Sequence, residues 1–329
     1  MRPLRTAPMI AWGLATDGPV PGSSLLPVPI RSVSEMPATR LPIIGYPLTD
    51  TPLEGVLRAA IGDIGAPLEI ERWERRPHQL ADALREIRED DAFAGVLLAS
   101  PHKEKAAPLS DALSEDARIS GAVNVFVRDE RRLRGHNTDA DGIRAGLISI
   151  LPKVRGKWPR NAVVLVAGGG ARAVVAVLIG AGFQHVAVLN RHLHKAEALV
   201  AHFSRTARNM ELRARPWHDA IIEAELVRAE LLVNASGIGA DGDDSPIAAD
   251  LLPPDRYLLD LVIDRASTPL MEATRAQGGT AANGQAAFLR ASSETIHLLT
   301  GKQPAPSRLQ SAMAAELGVL DEALAEVDD

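Results

Sequence analysis

A chain of 329 residues, 46% apolar and only 3% aromatic, is long enough for two domains with aliphatic, alanine-rich cores. Its net charge of −6 gives no electrostatic footing for nucleic acid or an anionic membrane surface, and no apolar run approaches the ~20 residues that span a bilayer. The absence of cysteine excludes disulfides, thiolate metal sites and a cysteine nucleophile, and it fits a reducing, cytoplasmic setting.

Residues 1–40 carry Pro3, Pro8, Pro19, Pro21, Pro27, Pro29 and Pro37 among Gly18, Gly22, Ser23 and Ser24, a composition that predicts an extended, poorly packed extension. Met36 is an alternative start, and the short apolar stretch 8–15 lacks a cleavage site and is not read as a signal peptide. From residue 41 the pattern is α/β. It predicts a strand over 41–45, a helix over 53–65, a strand over 70–73 and a helix over 78–88 with Leu80, Leu84 and Ile87 on one face. A strand over 93–99 then leads to a loop and helix, 101–109, and residues 122–127 and 133–135 form a hairpin around Asp129-Glu130. A helix over 139–151 links two halves. Beyond the polar, turn-like 157–161, strands are expected at 162–166, 186–189, 231–234 and 257–262. Helices are expected at 171–180, 194–204, 269–277, 286–300 and 309–327. Strands and helices alternating at this length predict parallel βαβ units.

The run Val163-Val164-Leu165-Val166-Ala167-Gly168-Gly169-Gly170-Ala171 is a strand entering a glycine-rich turn that opens a helix. Glycines let a backbone approach a pyrophosphate, and the helix N-terminus presents unpaired N–H groups and a positive dipole end. About twenty residues on, Asn190-Arg191-His192-Leu193-His194-Lys195 ends the second strand of this half. A dinucleotide fold that selects NAD carries an acid at that point, whereas Arg191 offers a planar fork for a 2′-phosphate. Lys195 either adds a second charge there or simply solvates its helix. NADP is therefore the expected cofactor. In the first half, Lys103 and Asp139 taken singly read as solvated surface charges; brought together beside a nicotinamide, they would suit proton exchange with a substrate oxygen while hydride moves to or from the cofactor. His192 and His194 lie close together, but no carboxylate stands at ligand spacing, and no metal is expected. Neither a Gly-x-Ser-x-Gly elbow nor a P-loop lysine motif occurs.

Six segments in order resemble the shikimate dehydrogenase family: Pro101-His102-Lys103-Glu104, Gly121-Ala122-Val123-Asn124, Gly135-His136-Asn137-Thr138-Asp139, Asn190-Arg191, Asn234-Ala235-Ser236 and Thr268-Pro269-Leu270. The resemblance runs from about Gly45 to Gly301. It implies an N-terminal α/β substrate-binding domain (41–138 joined by 285–329) and a Rossmann-type NADP-binding domain (139–284), with the active site in the cleft between them. It implies Lys103 and Asp139 as the catalytic pair, with Thr49, Thr51, Asn124 and Asn137 on the substrate. For the cofactor it implies Gly168, Gly169, Gly170 and Ala171, then Asn190, Arg191, His192 and Lys195, with Asn234 and Ser236 in a loop beside the nicotinamide. That last loop also reads as a plain strand-end turn. The implied partner is a small cyclic hydroxy acid of aromatic amino acid biosynthesis, and the implied assembly a monomer or homodimer.

The chain departs from the family at several places. Ala167 stands where the family has glycine, and the Ser-x-Ser clamp becomes Thr49-Asp50-Thr51 in a loop about two residues shorter. Leu97, Ala99, Val125, Ile263 and Ala291 occupy positions where the family presents hydrogen-bonding groups, with Arg290 beside Ala291 as another source of polarity. These changes predict a drier pocket that handles shikimate poorly, because a ring hydroxyl buried there loses water without gaining a partner. Two other readings stay open: a quinate- or aminoshikimate-type dehydrogenase, and a non-catalytic NADPH-binding sensor.

Overall fold

The computed structural model describes residues 39–48, 52–152, 158–240, 242 and 244–318. Most of the proline-rich extension, with Thr49 and Thr51, lies outside them.

The first half holds six strands: β1 (Thr39–Gly45), β2 (Leu68–Glu74), β3 (Gly95–Leu98), β4 (Ala112–Leu113), β5 (Val125–Asp129) and β6 (Arg132–His136). Its helices are α1 (Leu53–Ile64), α2 (Leu80–Glu89), α3 (Lys103–Ala106) and α4 (Glu115–Ser120), and α5 (Asp139–Ile150) follows. The strands form one mixed sheet in the order β2-β1-β3-β5-β6-β4. β1 begins at Thr39, so Thr39 and Arg40, expected in the extension, pair in parallel with Leu68 and Glu69.

The second half adds β7 (Asn161–Leu165), β8 (His185–Asn190), β9 (Glu211–Pro216), β10 (Leu231–Asn234), β11 (Tyr257–Asp260) and β12 (Thr280–Ala282). They alternate with α6 (Gly169–Ala181), α7 (Leu193–Phe203), α8 (Asp219–Arg228) and α9 (Pro269–Ala276). All pairs in this second sheet are parallel, in the order β12-β11-β10-β7-β8-β9. The order reverses between β7 and β10, and the crevice beyond the strand ends at such a switch point is where doubly wound sheets take ligands. Leu231, Val233, Val163, Val164 and Leu165 are almost wholly buried, as central strands covered on both faces require.

Two cores meet along the helices that join the halves. Ile143, Leu147 and Ile150 of α5 pack with the second sheet's Val164, Val186 and Leu259. Ile296 and Leu299 of α10 (Gln285–Thr300) and Leu309 and Met313 of α11 (Pro306–Glu316) pack with Leu41 and Ile43 of the first sheet and Leu57 of α1. α5 and α10 touch closely at Gly142, where a Cβ would run into the Ala287 carbonyl. The helix expected over 309–327 stops at Glu316, with Gly318 in the left-handed region at φ 69°. No helix among the described residues is long and apolar enough to cross a membrane.

Several elements escaped the periodicity. β9, Glu-Leu-Arg-Ala-Arg-Pro, is an edge strand whose charges and proline suit an unpaired rim, and it is recognisable as a strand only through its register on β8. α8 follows it, while β4, α4 and β12 are too short to carry a period.

Candidate active site

Lys103 opens α3 and Asp139 opens α5, 36 residues apart in the chain. Their side chains meet: Lys103 Nζ donates to Asp139 Oδ2 at 2.7 Å, with the two side chains 24% and 22% exposed. A negative charge in the first turn of α5 is favoured by the helix dipole. Asn124 Nδ2 donates to Asp139 Oδ1 and to Thr138 Oγ1, both at 2.9 Å, and Asn124 Oδ1 accepts from the Thr138 backbone N–H at 2.9 Å. Thr138 Oγ1 in turn meets Thr295 Oγ1 of α10 at 2.9 Å. Asp139 is thus held on one oxygen by an amide and presents the other to an ammonium, so the carboxylate cannot rotate without breaking a bond.

Asn137 is buried, and its Nδ2 donates to Ser120 Oγ at 2.9 Å and to the Ala122 carbonyl at 3.0 Å. Its Oδ1 is buried without a hydrogen-bond partner among the described residues, a state that ordinarily costs ~1–3 kcal/mol. Leu97 and Val125 face each other in register on β3 and β5 inside the first core, with Leu48, Ile263 and Phe288 packed against the same cluster. Ala291 lies against α5 at Gly142, and Arg290 Nη2 turns to Glu294 at 3.4 Å.

The glycine turn sits at the end of β7. Gly168 is the N-cap of α6, whose first turn contains no acid. A Cβ at Gly168 or Gly170 would meet nothing within 4 Å, whereas one at Gly169 would stand 3.0 Å from Lys103 Cβ. Open space therefore lies before the helix N-terminus on two sides, and the lysine stem closes the third. This cradle, with the free N–H groups, fits a pyrophosphate. Ala171 is buried behind it. The residue in the turn with a left-handed backbone is Val166, at φ 70°, not Ala167. The position whose backbone favours glycine is thus Val166, where a β-branched side chain is strained.

At the end of β8, Asn190 Nδ2 donates to the His192 carbonyl at 2.8 Å and shapes the turn that exposes Arg191, His192, His194 and Lys195. The Arg191 guanidinium lies 5.8 Å from the Trp217 ring centre, and the His192 and His194 rings are 5.8 Å apart. No group of three potential metal ligands occurs among the described residues. After β10, Asn234 is buried. Its Nδ2 donates to Asp260 Oδ1 at 2.9 Å, and its Oδ1 accepts from Ser236 N–H at 3.0 Å and Oγ at 2.6 Å. Asp260 also accepts from Thr268 Oγ1 at 2.7 Å, and burial raises its carboxyl above the usual range against these hydrogen bonds. Asn234 and Ser236 therefore build the loop from within.

Sequence reasoning missed Asp260, Thr295, Trp217 and Arg172. Arg172 alone carried a local signal, a cation in the first turn of a helix, where the dipole disfavours one.

Residues 43–126 match the family described as "Shikimate dehydrogenase substrate binding domain". The shikimate dehydrogenase (NADP(+)) of Streptococcus pneumoniae strain CGSP14 is 32% identical over 235 residues, covering 70% of this chain and 80% of the relative. Among solved structures, shikimate 5-dehydrogenase from Thermus thermophilus, in complex with NADP(H) and shikimate, aligns with a TM-score of 0.70 at 33% identity, over 85% of this chain and 100% of that one. Quinate dehydrogenase from Corynebacterium glutamicum, in complex with NAD, aligns with a TM-score of 0.73 at 25% identity, over 84% of this chain and 99% of that one. A lysine–aspartate pair set against a glycine-turn crevice, on a chain this similar along most of its length, makes the protein a member of the shikimate dehydrogenase family.

Proposed function

We propose that this chain catalyses reversible hydride transfer between NADP(H) and a ring alcohol or ketone of a shikimate-type cyclic hydroxy acid. The observation that carries the reading is the Lys103 Nζ–Asp139 Oδ2 bond of 2.7 Å, made by a lysine whose stem abuts Gly169 of the glycine turn. The bound nicotinamide supplies or accepts the hydride. Lys103 passes the accompanying proton to or from the substrate oxygen, and Asp139, steadied by Asn124, keeps the ammonium aimed. Asn137 Oδ1 accepts from a ring hydroxyl, and Thr49 and Thr51 take the carboxylate. Gly168, Gly169, Gly170 and Ala171 receive the pyrophosphate, and Arg191 with Lys195 receives the 2′-phosphate. Asn190 and His192 frame that end, and Asn234 and Ser236 frame the nicotinamide side. In this reading the first sheet and the C-terminal helices form the substrate domain, the second sheet forms the cofactor domain, and the enzyme works in the cytoplasm.

The substrate has fewer ring hydroxyls than shikimate or carries an apolar substituent. Supporting this are Leu97 and Val125, paired inside a cluster that Leu48, Ile263 and Phe288 extend. Each missing hydrogen bond costs ~0.5–1.5 kcal/mol, so several together lower kcat/KM by roughly three orders of magnitude. Kinetics with shikimate and NADP+ test this: a kcat/KM in the ordinary range of ~10⁴–10⁸ M⁻¹s⁻¹ refutes the dry pocket. The same apolar cluster is what favours an NADPH sensor as the second reading. An absorbance screen at the NADPH band against a panel of cyclic hydroxy acids separates the two, since turnover of any member eliminates the sensor.

A further inference from the structure

We propose that Arg172 is a positioning residue: with Glu104 it forms a clasp that fixes where Lys103 stands relative to the glycine turn. The inference rests on the dehydrogenase reading above.

Arg172 sits one turn into α6, two residues after the last of the glycines, and its side chain is only 12% exposed. A buried cation at a helix N-terminus is unfavourable on two counts, desolvation and the dipole, so the position needs compensation from elsewhere. The compensation comes from the first half of the chain. Arg172 Nε lies 3.1 Å from Glu104 Oε2, as an ion pair rather than an aligned hydrogen bond, and Nη1 donates to the Ser120 carbonyl at 3.5 Å. Glu104 is the neighbour of Lys103. Ser120 ends α4, directly before the Gly121-Ala122-Val123-Asn124 segment that delivers Asn124 to Asp139.

One guanidinium therefore grips the segment that carries Lys103 and the segment that delivers Asn124 to Asp139, from the helix whose first turn faces the cofactor. The two gripped segments are also tied to each other, since the Val123 N–H donates to the Lys103 carbonyl at 2.8 Å. A second contact acts in the same direction: His202 of α7 shares a 2.9 Å hydrogen bond with the Ile119 carbonyl, and its ring fills the space beside Gly121. Between the two grips, the Lys103 stem rests on Gly169, where an added Cβ would stand 3.0 Å from Lys103 Cβ and press on the stem. Loss of the clasp lets α3 and the end of α4 slide together against the glycine turn, which moves the lysine ammonium relative to a bound nicotinamide while leaving the phosphate cradle intact.

The test uses Arg172→Met, Arg172→Lys, Glu104→Gln and the double variant Glu104→Gln/Arg172→Met of the full chain. A misplacement of about 1 Å costs up to ~10²-fold, so Arg172→Met and Glu104→Gln should each lower kcat by about ten- to a hundredfold, with NADPH affinity within about threefold of the parent. The double variant should be no worse than the poorer single one, because both remove the same link. Arg172→Lys should restore part of the loss, and it serves in place of Arg172→Met if that variant does not fold. Hydrogen–deuterium exchange of the cofactor-free protein gives a readout independent of turnover: residues 103–106 and 117–124 should lose protection in Arg172→Met. If the parent turns over no cyclic hydroxy acid, the dehydrogenase reading fails while exchange still judges the clasp. Unchanged protection, additive losses in the double variant, or a tenfold loss of NADPH affinity at unchanged kcat would each overturn the proposal, the last by making Arg172 a cofactor ligand.

Discussion

Replacing Lys103 with alanine separates proton transfer from everything else the site does. In the parent, the ammonium is 2.7 Å from Asp139 Oδ2, and no other ammonium among the described residues contacts that carboxylate. General acid–base catalysis is worth ~10²–10⁴-fold, so kcat should fall by that factor, equivalent to about 3–5 kcal/mol of barrier at 1.36 kcal/mol per decade. The cofactor's contacts should survive, because the cradle is made by the glycines and the α6 N-terminus; only the stem contact at Gly169 is lost. NADPH affinity should therefore stay within about threefold. Stability should drop as well, since Asp139 keeps Asn124 but loses its counter-ion in a site about three-quarters buried. Breaking a fully buried pair costs ~3–5 kcal/mol, and with partial exposure and the remaining amide a loss of about 1–2 kcal/mol is expected. Steady-state kinetics at saturating cofactor, NADPH fluorescence titration and thermal melts measure the three quantities independently. A Lys103→Ala variant with kcat within tenfold of the parent would refute the assignment, and an equal loss in NADPH binding would show that the lysine holds cofactor instead.

Arg191→Ala should weaken NADP binding about ten- to hundredfold, the worth of charge-assisted hydrogen bonds to a phosphate, and leave NAD binding nearly unchanged. Equal affinity of the parent for the two cofactors, measured by titration, would contradict this. Asp141 predicts a pH effect on stability: burial pushes its carboxyl up to about 6, with Arg144 and Arg290 lowering it and Asp116 and Glu294 raising it. A folded pKa above the unfolded value means that the native state holds the proton more tightly, so stability falls as pH rises from about 4 through 6. Some two pK units set a ceiling of about 3 kcal/mol. The side chain is 27% exposed and pairs with Arg144 at 3.0 Å, so Asp141→Asn should gain about 1–2 kcal/mol at pH 8 and nothing near pH 4. Urea unfolding at the two pH values checks it; an equal change at both would remove the ionisation argument.

The glycine turn and the Asn190-Arg191 end of β8 were legible in the chain because each is a local solution to a local demand, whereas the Lys103 and Asp139 segments were legible through their resemblance to the family. A backbone that must approach a phosphate needs glycine, and a strand covered on both faces needs an unbroken aliphatic run. That Lys103 and Asp139 stand 2.7 Å apart follows instead from how α3 and α5 are carried by one sheet, and no spacing in the chain encodes it. The edge strand β9 is hidden for a similar reason: its charged residues become a strand only by pairing with β8. Val166 takes the left-handed turn at the end of β7, which nothing in a β-branched residue announces, since backbone angles at a strand end are set by where the next helix must go. The Arg172–Glu104 clasp joins residues from the two sheets' halves, so it arises where those halves pack. Local propensity acts over a few residues, whereas proton transfer requires groups from distant segments within ~3 Å, and that proximity is a property of packing.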